Sequence, residues 1–560
     1  MNGRIQNTSL ITIMFAGFLA PVSAMSADAD IRLVLQITID GLRPDRITLA
    51  QPAFGEGGFN KLFAEGAVFT NAHYGHANTE TIVGHATLAT GAHPSAHGMT
   101  GNVWHDAEAD ELSYNIEDPE SLPLPTRKTA RSGDQVDPAQ RLARTTGRSP
   151  RALLAETLAD TMIASFGEGT KVFAVSNKDR SAVAMGGQGG KALWYSTDTG
   201  DFGTTTYYYD SYPTWVREWN EGRRAEQLAG SKWSLLDDAQ TYHFADQDDR
   251  PYETDLRGFG RVFPHRYGDA NDPLLFTQVV ASPAGDVLLA SFAKSLIENE
   301  SLGSDDSVDY LSVSFSGVDA VNHFFGASSL EMEDMVRQLD RTLADFLAYV
   351  DKRVGLDHVL LVLSADHGSA EAPEYIQSQG RPAGRLYPSA IIDATNRLAL
   401  ETFDIDGVVK YYYRPYVYLR EDLIDEAGLD FVTVREKIAA HLTAEPGVHA
   451  AVTLLSNRLL DNKELANRIR NNYHPNRAGD IYIVQDLHWF NFDPGPVAVM
   501  HGSPWSYDTH VPIIFFGTGV KAGMIDRRVQ PVDVAPTLAA LLGILPPASA
   551  QGSVLSEVFE

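Results

Sequence analysis

The chain has 560 residues, and its 44% hydrophobic and 21% charged residues are typical of a folded globular protein, which excludes a largely disordered one. The formal net charge of −28 argues against nucleic acid or an anionic membrane as a partner, because both are themselves negatively charged. The chain contains no cysteine, so disulfides and lipid attachment through a cysteine are excluded.

The first segment predicts a secretory signal peptide over residues 1–24. Arg4 precedes an apolar run from Leu10 to Leu19, and small residues up to Ala24 favour cleavage after that residue. The alternative is an uncleaved N-terminal anchor, although the run is shorter than the roughly 20 apolar residues that span a bilayer. We therefore expect a periplasmic or secreted protein with no stable membrane insertion after cleavage, in which residues 25–560 form a single domain.

Apolar runs typical of buried strands alternate with helical patterns along the rest of the chain. This alternation predicts an α/β fold with a largely parallel central sheet and helices on both faces. The predicted strands are Ile31 to Ile39, Lys171 to Ser176, Tyr310 to Phe315, His358 to Leu363 and Val511 to Phe516. The first four lead directly into polar residues, which can meet because ligands bind at the carboxyl ends of strands in such sheets.

Helical spacing of apolar residues predicts three helices, over Val287 to Ile297, Glu331 to Val350 and Val534 to Leu542. Other regions break the alternation and are predicted to be insertions, near residues 104–150, 195–268 and 373–476. The first is predicted to be a long surface loop. The other two are predicted to cap the functional face of the sheet, and the last could also be a small subdomain.

Acidic and histidine residues stand at the turns that follow the predicted strands, beside one threonine. The candidate metal ligands are Asp40, Thr81, Asp319, His323, Asp366, His367 and His501. Three carboxylates, three imidazoles and a hydroxyl are what two divalent metals about 4 Å apart require. Asp319 and His323 are four residues apart and would share one face of a helix. Taken alone, Asp40 is an ordinary turn residue and His323 an ordinary histidine, so the prediction depends on the set.

Thr81 begins a predicted helix, where a hydroxyl is often no more than an N-cap. The same position favours an anion, because backbone N–H groups and the helix dipole point towards it. A neutral threonine is a poor nucleophile, and a neighbouring divalent metal can activate it. Thr81 is therefore either a helix cap or a metal-activated nucleophile.

These motifs resemble those of the alkaline phosphatase superfamily. The resemblance is strongest to the monomeric, phosphate-irrepressible bacterial alkaline phosphatases with a threonine nucleophile, which are related to the nucleotide pyrophosphatase/phosphodiesterases. It covers nearly all of the mature chain and rests on Thr81-x-x-Gly84-His85, Thr90-Gly91-x2-Pro94-x2-His97-Gly98, Gly101-Asn102, Asn177-Lys178-Asp179-Arg180, Ser314 to Asp319, Ala365 to Gly368 and His501-Gly502-Ser503-Pro504. It implies a three-layer α/β/α sandwich with capping insertions.

The resemblance also implies roles for single residues. One Zn²⁺ would be held by Asp319, His323 and His501, and a second by Asp40, Asp366 and His367, with Thr81 beside the second as the nucleophile. Asn102, Lys178 and Arg180 would bind the phosphoryl group. Nitrogen ligands favour zinc, although other metals stay open. His510 is the alternative to His501, which the family pattern favours because a Gly-Ser-Pro turn follows it.

The implied function is a secreted, monomeric two-zinc phosphomonoesterase that hydrolyses small-molecule phosphate monoesters through a covalent phosphothreonine. Lys178 and Arg180 favour this function over the alternative, a phosphodiesterase or nucleotide pyrophosphatase, because related diesterases lack this pair. Taken alone, Lys-Asp-Arg would be an exposed charged turn. A phosphate-binding or metal-binding protein without turnover would predict loss of a ligand or of Thr81, and neither is lost. A sulfatase is disfavoured because no cysteine is available for formylglycine.

Overall fold

The computed structural model describes residues 30–125, 137–453, 461–492, 495 and 497–559, so the predicted signal peptide lies outside the described residues. None of the helices in these ranges combines the length and the apolar character needed to cross a bilayer. The strands in the described ranges are β1 Leu33–Ile39, β2 Ala67–His73, β3 Val103–Asp106, β4 Glu111–Tyr114, β5 Val172–Ser176, β6 Lys191–Tyr195, β7 Phe202–Gly203, β8 Lys232–Trp233, β9 His265–Arg266, β10 Asp309–Phe315, β11 Val359–Ser364, β12 Gly384–Leu386, β13 Val409–Tyr413, β14 Tyr416–Leu419, β15 Val448–Val452, β16 Ile481–Gln485, β17 Trp489–Asn491, β18 His510–Gly517 and β19 Gly523–Ile525.

The α-helices connect these strands. In the same ranges they are α1 Pro44–Ala50, α2 Phe59–Glu65, α3 Thr81–Thr90, α4 Pro94–His97, α5 Leu158–Phe166, α6 Asp179–Gly186, α7 Thr214–Glu221, α8 Leu275–Val280, α9 Pro283–Glu300, α10 Gly317–Phe325, α11 Leu330–Arg353, α12 Pro373–Ser378, α13 Pro388–Phe403, α14 Glu421–Glu426, α15 Phe431–Leu442, α16 Lys463–Asn472, α17 Ser506–Thr509 and α18 Val534–Leu541. All five predicted strands are confirmed, as β1, β5, β10, β11 and β18. The three predicted helices are confirmed as α9, α11 and α18.

A central sheet is built from nine of the described strands in the order β19-β2-β18-β11-β1-β10-β5-β6-β7. Its middle, from β11 to β6, is parallel, which confirms the predicted sheet. β18 runs antiparallel to β11 and β2, and β7 runs antiparallel to β6. The sheet is therefore mixed near its edges, and β2 in particular was not predicted, because three of its seven residues are not buried.

Helices cover both faces of the central sheet and make the α/β/α sandwich. One group of contacting helices contains α3, α4, α5, α6 and α18, and the other contains α1, α8, α9, α10 and α11. Every residue of β1, β10 and β11 is buried, as expected for central strands with a helical layer on each face. These strands supply the centre of the hydrophobic core.

All three predicted insertions contain regular structure, and the region 195–268 includes α7 and the strand pair β8–β9. Residues near 373–476 include α12 to α16, and their strands join β16 in a four-stranded antiparallel sheet of order β13-β14-β16-β15 with apolar packing of its own. The region 104–150, predicted to be a long loop, begins with the hairpin β3–β4. The hairpin forms because Tyr114, at its end, is buried and its hydroxyl donates a hydrogen bond to Asp179 at 2.7 Å.

Candidate active site

The register of the central strands brings the predicted site residues to one edge of the sheet. Ile39 of β1 is paired with Phe315 of β10, and Thr38 is paired with Ser364 of β11. Asp40, which follows β1, therefore lies level with the start of α10 and with Asp366, which follows β11. The backbone N–H of Gly41, at φ +75°, donates to Asp366 Oδ1 at 3.1 Å, which joins the two strand ends directly.

One group of candidate metal ligands consists of Asp40, Asp366 and His367, which are all fully buried. Nε2 of His367 lies 3.3 Å from Oδ1 of Asp40 and 3.4 Å from Oδ2 of Asp366. Ligand atoms of the three residues lie within 4.8 Å of one another. This spacing suits a single cation bound by two carboxylates and one imidazole.

A second group surrounds Asp319, in the first turn of α10. Nε2 of His323 lies 3.3 Å from Oδ2 of Asp319, and Nε2 of His501 lies 3.6 Å from Oδ1. Asp319, His367 and His501 also lie within mutual ligand distance, and the rings of His367 and His501 stack at 3.7 Å. His367 thus stands between the two groups, which makes them neighbours.

The histidines present the right nitrogen to a metal. Nδ1 of His323 donates to the carbonyl of Val499 at 2.8 Å, and Nδ1 of His501 donates to the carbonyl of Thr79 at 2.8 Å. Nδ1 of His367 donates to Gly368 at 2.7 Å. A carbonyl only accepts, so each neutral ring carries its proton on Nδ1 and offers the Nε2 lone pair.

Several ligand atoms have no protein partner for a hydrogen bond although they are buried. They are Oδ1 of Asp319, Oδ2 of Asp366 and Nε2 of His367. A buried carboxylate without compensation is costly, and cations between the two groups would satisfy these atoms. The donor set of oxygens and imidazole nitrogens therefore fits two divalent metals such as zinc.

The electrostatics of the site favour positive charge. Burial raises the pKa of Asp40, but the Lys178 ammonium and the His367 ring together lower it to about 2. Burial lowers the pKa of His367, whereas the Asp366 and Asp40 carboxylates raise it to about 10. Burial also lowers the pKa of Lys178, and Asp319 together with Asp40 still holds it above its ordinary value. The raised pKa values of His367 and Lys178 both report the concentration of carboxylate charge at this site.

Thr81 is the first residue of α3, and the N-cap is Glu80, so Thr81 does not act as the helix cap. Its Oγ1 accepts a hydrogen bond from Arg180 at 3.4 Å. The helix packs closely against the metal ligands, because a Cβ on Gly84 would lie 1.9 Å from the carbonyl oxygen of Asp366. Helix α3, which begins at Thr81, is thereby held against the Asp366 backbone.

Arg180 contacts the hydroxyl of Thr81, and Asn102 contacts the backbone of the next residue, Ile82. Oδ1 of Asn102 accepts from the N–H of Ile82 at 3.3 Å, so its amide nitrogen is the donor left for a ligand. Arg180, at the start of α6, is 4% exposed and forms an ion pair with Asp137 at 2.5 Å. It is not part of an exposed charged turn.

Lys178 occupies a position that the sequence did not predict in detail. Its Nζ lies 2.5 Å from Oδ2 of Asp319 and 2.7 Å from Oδ2 of Asp40, one carboxylate from each group. A cavity of about 800 Å³ opens in front of these residues. Its lining includes Asn102, Lys178, Arg180, Asp319, His323 and His501.

The structure brings His501, and not His510, to Asp319. His510 lies in β18, where its Nε2 donates to the carbonyl of Thr70 at 2.9 Å and its ring stacks on His73. His85 contacts the backbone of α3, because its Nδ1 donates to the carbonyl of Thr81 at 2.8 Å.

Sequence reasoning missed other residues of the site. The same Nδ1 of His85 lies 3.1 Å from Oδ2 of Asp366, and its spacing of four from Thr81 could have indicated this contact. Glu80 and Arg414 were also missed, and they form a buried ion pair at 2.6 Å behind Asn102. The position of Glu80 next to Thr81 was a usable signal, whereas no sequence signal pointed to Arg414.

Comparison with known proteins gives a consistent family. Residues 34–504 match the family described as type I phosphodiesterase / nucleotide pyrophosphatase. The chain is 32% identical to alkaline phosphatase PhoV of Synechococcus elongatus, over 94% of this chain and 93% of that protein. It is 30% identical to alkaline phosphatase PafA of Elizabethkingia meningoseptica, over 94% of each protein.

The crystal structure of wild-type alkaline phosphatase PafA has the same fold. It superposes with a TM-score of 0.85 at 29% identity, covering 95% of this chain and 99% of that chain. The chain therefore belongs to the type I phosphodiesterase / nucleotide pyrophosphatase family, has the alkaline phosphatase fold, and is similar to the alkaline phosphatases PhoV and PafA.

Proposed function

We propose that the protein is a two-zinc phosphomonoesterase that hydrolyses small-molecule phosphate monoesters through a phosphothreonine at Thr81. The observation that carries the proposal is the pair of adjacent, buried ligand groups against which helix α3 packs, with Arg180 on the hydroxyl of Thr81 at the start of that helix. The names of the relatives PhoV and PafA support phosphatase activity.

The two metals would be held by the residues that the resemblance assigned. Asp319, His323 and His501 would bind one, and Asp40, Asp366 and His367 the other. Zinc at these positions supplies Lewis acidity, which lowers the pKa of hydroxyl groups and draws charge from phosphoryl oxygens. The chain itself supplies the nucleophile, the donors and the geometry.

The first step would be an in-line attack of Thr81 Oγ1 on phosphorus, which breaks the bond to the leaving oxygen and releases the alcohol after proton uptake from solvent. Water would then attack the same phosphorus from the opposite side. The bond between phosphorus and Oγ1 breaks, inorganic phosphate leaves and Thr81 regains its proton. Two inversions retain the configuration at phosphorus.

The selectivity for monoesters over diesters would come from Lys178, Arg180 and Asn102. A monoester brings two negative charges and three non-bridging oxygens, whereas a diester brings one charge and two such oxygens. Arg180 offers a planar charged fork, Asn102 a neutral donor, and Lys178 a point charge next to both ligand groups. With metals on the carboxylates, the ammonium of Lys178 becomes available to a phosphoryl oxygen.

A phosphodiesterase is the second candidate, because the matching family is named for diester and pyrophosphate cleavage. Metal analysis of purified protein, combined with rates on an aryl phosphate and on its methyl aryl diester, separates the two candidates. We expect two zinc ions per chain and a higher kcat/KM for the monoester. A higher kcat/KM for the diester would put the phosphodiesterase first.

We also propose that the protein is exported as a monomer to the periplasm or the medium, with residues 25–560 as one catalytic domain that carries its insertions on the active face. The basis is the predicted signal peptide over residues 1–24 and the acidic, cysteine-free mature chain. N-terminal sequencing of the mature protein and its mass in solution test cleavage after Ala24 and the monomeric state.

A further inference from the structure

The three residues before Thr81 are all buried, and their side chains reach parts of the chain that are remote in sequence. Asn78 donates to the carbonyl of Thr100 at 3.0 Å. Oγ1 of Thr79 donates to the carbonyl of Ser503 at 2.9 Å. Glu80 is fully buried and makes the charged contacts. The segment 78–80 therefore connects the Thr81 nucleophile to the loops that carry Asn102 and His501.

Both oxygens of Glu80 are used by different partners. Oε2 accepts the backbone N–H of Asn102 at 2.6 Å, and Oε1 lies 2.6 Å from NH1 of Arg414. Both distances are short, as charge-assisted interactions are. Asn102 is consequently held at its backbone by Glu80 and at its side chain by the N–H of Ile82.

Arg414 comes from the region 373–476, at the turn between β13 and β14. It is 5% exposed, lines the active-site cavity, and donates to the carbonyl of His501 at 3.3 Å. Asn472, at the end of α16, adds two bonds from the same region: it accepts the N–H of Asn78 at 3.2 Å and donates to the carbonyl of Thr100 at 3.1 Å. This region therefore contacts the segment 78–80 directly, through Asn472 and Arg414.

We infer that Glu80 and Arg414 are positioning residues for phosphoryl transfer. Glu80 fixes Asn102, the hydrogen-bond donor to the phosphoryl group, and Arg414 fixes Glu80 against the loop that carries His501. The region 373–476 then holds the segment 78–80, which precedes Thr81, in place. The inference rests on the proposed phosphatase function. Its physical basis is that a donor displaced by about 1 Å can cost on the order of 100-fold in rate.

A double-mutant cycle between Glu80→Gln and Asn102→Ala tests this role. Glutamine keeps the size of Glu80 but removes its charge, so the hold on Asn102 and Arg414 weakens. We expect Glu80→Gln to lower kcat/KM for an aryl phosphate by roughly 10- to 100-fold in the wild-type background. In the Asn102→Ala background the same change should cost less than about threefold, because the residue through which Glu80 acts is gone.

Controls separate positioning from general stability. Glu333→Gln breaks another buried ion pair, with Arg337 at 2.7 Å, outside the site, and should lower Tm without changing kcat/KM of folded protein. Arg414→Lys should recover part of the activity that Arg414→Ala loses. If Glu80→Gln does not fold, Arg414→Gln replaces it in the same cycle. If the wild type is active and the losses of kcat/KM in the two single variants are additive in the double variant, the inference is wrong. If the wild type is inactive, the proposed phosphatase function is wrong instead.

Discussion

Nζ of Lys178 lies 2.5 Å from Oδ2 of Asp319, a carboxylate of one candidate metal group, and contacts Asp40 of the other. Lys178 therefore contacts one carboxylate of each candidate metal group. The neighbouring Arg180 reaches the hydroxyl of Thr81, and both cations line the same cavity. This arrangement underlies the first prediction.

The double variant Lys178→Ala with Arg180→Ala should lower kcat/KM for an aryl phosphate by a factor on the order of 100 or more, since each charged hydrogen bond is worth about 1.5–3 kcal/mol. The loss for a methyl aryl diester should be much smaller, because a diester lacks the second charge and the third oxygen. Steady-state kinetics on both substrates measure the ratio. Equal losses would mean that the two cations only hold the loop.

Replacement of His501 should lower the metal content of the protein, whereas replacement of His510 should leave it unchanged. His501→Ala removes a ligand from the Asp319 group, so bound zinc should fall by about one equivalent per chain and activity should fall with it. His510→Ala removes a residue that bonds to Thr70 and should leave both metals in place. Emission spectroscopy of purified protein gives the count, and loss of metal from the His510 variant would contradict the assignment.

Thr81→Ala should lower kcat by several orders of magnitude, by analogy with other deletions of a nucleophile. Thr81→Ser keeps a hydroxyl at the start of α3 and should retain much more activity. Mass spectrometry of acid-quenched protein should detect phosphate on Thr81 in the wild type. Net inversion of a chiral phosphate ester would show that no such intermediate forms.

Stability should fall as the pH rises from about 5 to about 9 because of Glu253. Burial, assisted by the charge of Glu331, raises the pKa of Glu253 to about 9, so the folded state holds a proton that the unfolded state releases near pH 4.5. The protonated form thus stabilises the fold at low pH, and this contribution is lost as the pH approaches 9.

The variant Glu253→Gln mimics the protonated form. It should make the free energy of unfolding depend less steeply on pH, by up to about 1.4 kcal/mol per pH unit for one proton. Urea unfolding between pH 5 and pH 9 measures the slope. The exposed change Glu65→Gln serves as the control and should keep the wild-type slope. A Glu253→Gln slope equal to that of the wild type would show that Glu253 is already ionised in the folded protein.

Local sequence patterns were sufficient for the central strands and for the candidate ligands. β1, β10 and β11 are continuous apolar runs because both of their faces are buried, and such runs are visible without tertiary information. Asp40 and Asp366 follow such runs directly, and His323 lies one helical turn after Asp319. The recurrence of such residues after several strands therefore allowed them to be predicted as a set.

Other features were decided by tertiary structure alone. The partly exposed strand β2, the antiparallel course of β18 and the choice of His501 over His510 depend on which chain segments pair in the sheet. Glu80 and Arg414 meet because the sheet β13–β16 packs against the segment 78–80, and neither residue carries a local pattern that encodes this contact. The sequence by itself determined which side chains can bind metal and phosphate, since that is a property of residue type and strand position. Only the folded chain decided how they are held, because a buried ion pair between distant segments exists only once both have been removed from water together.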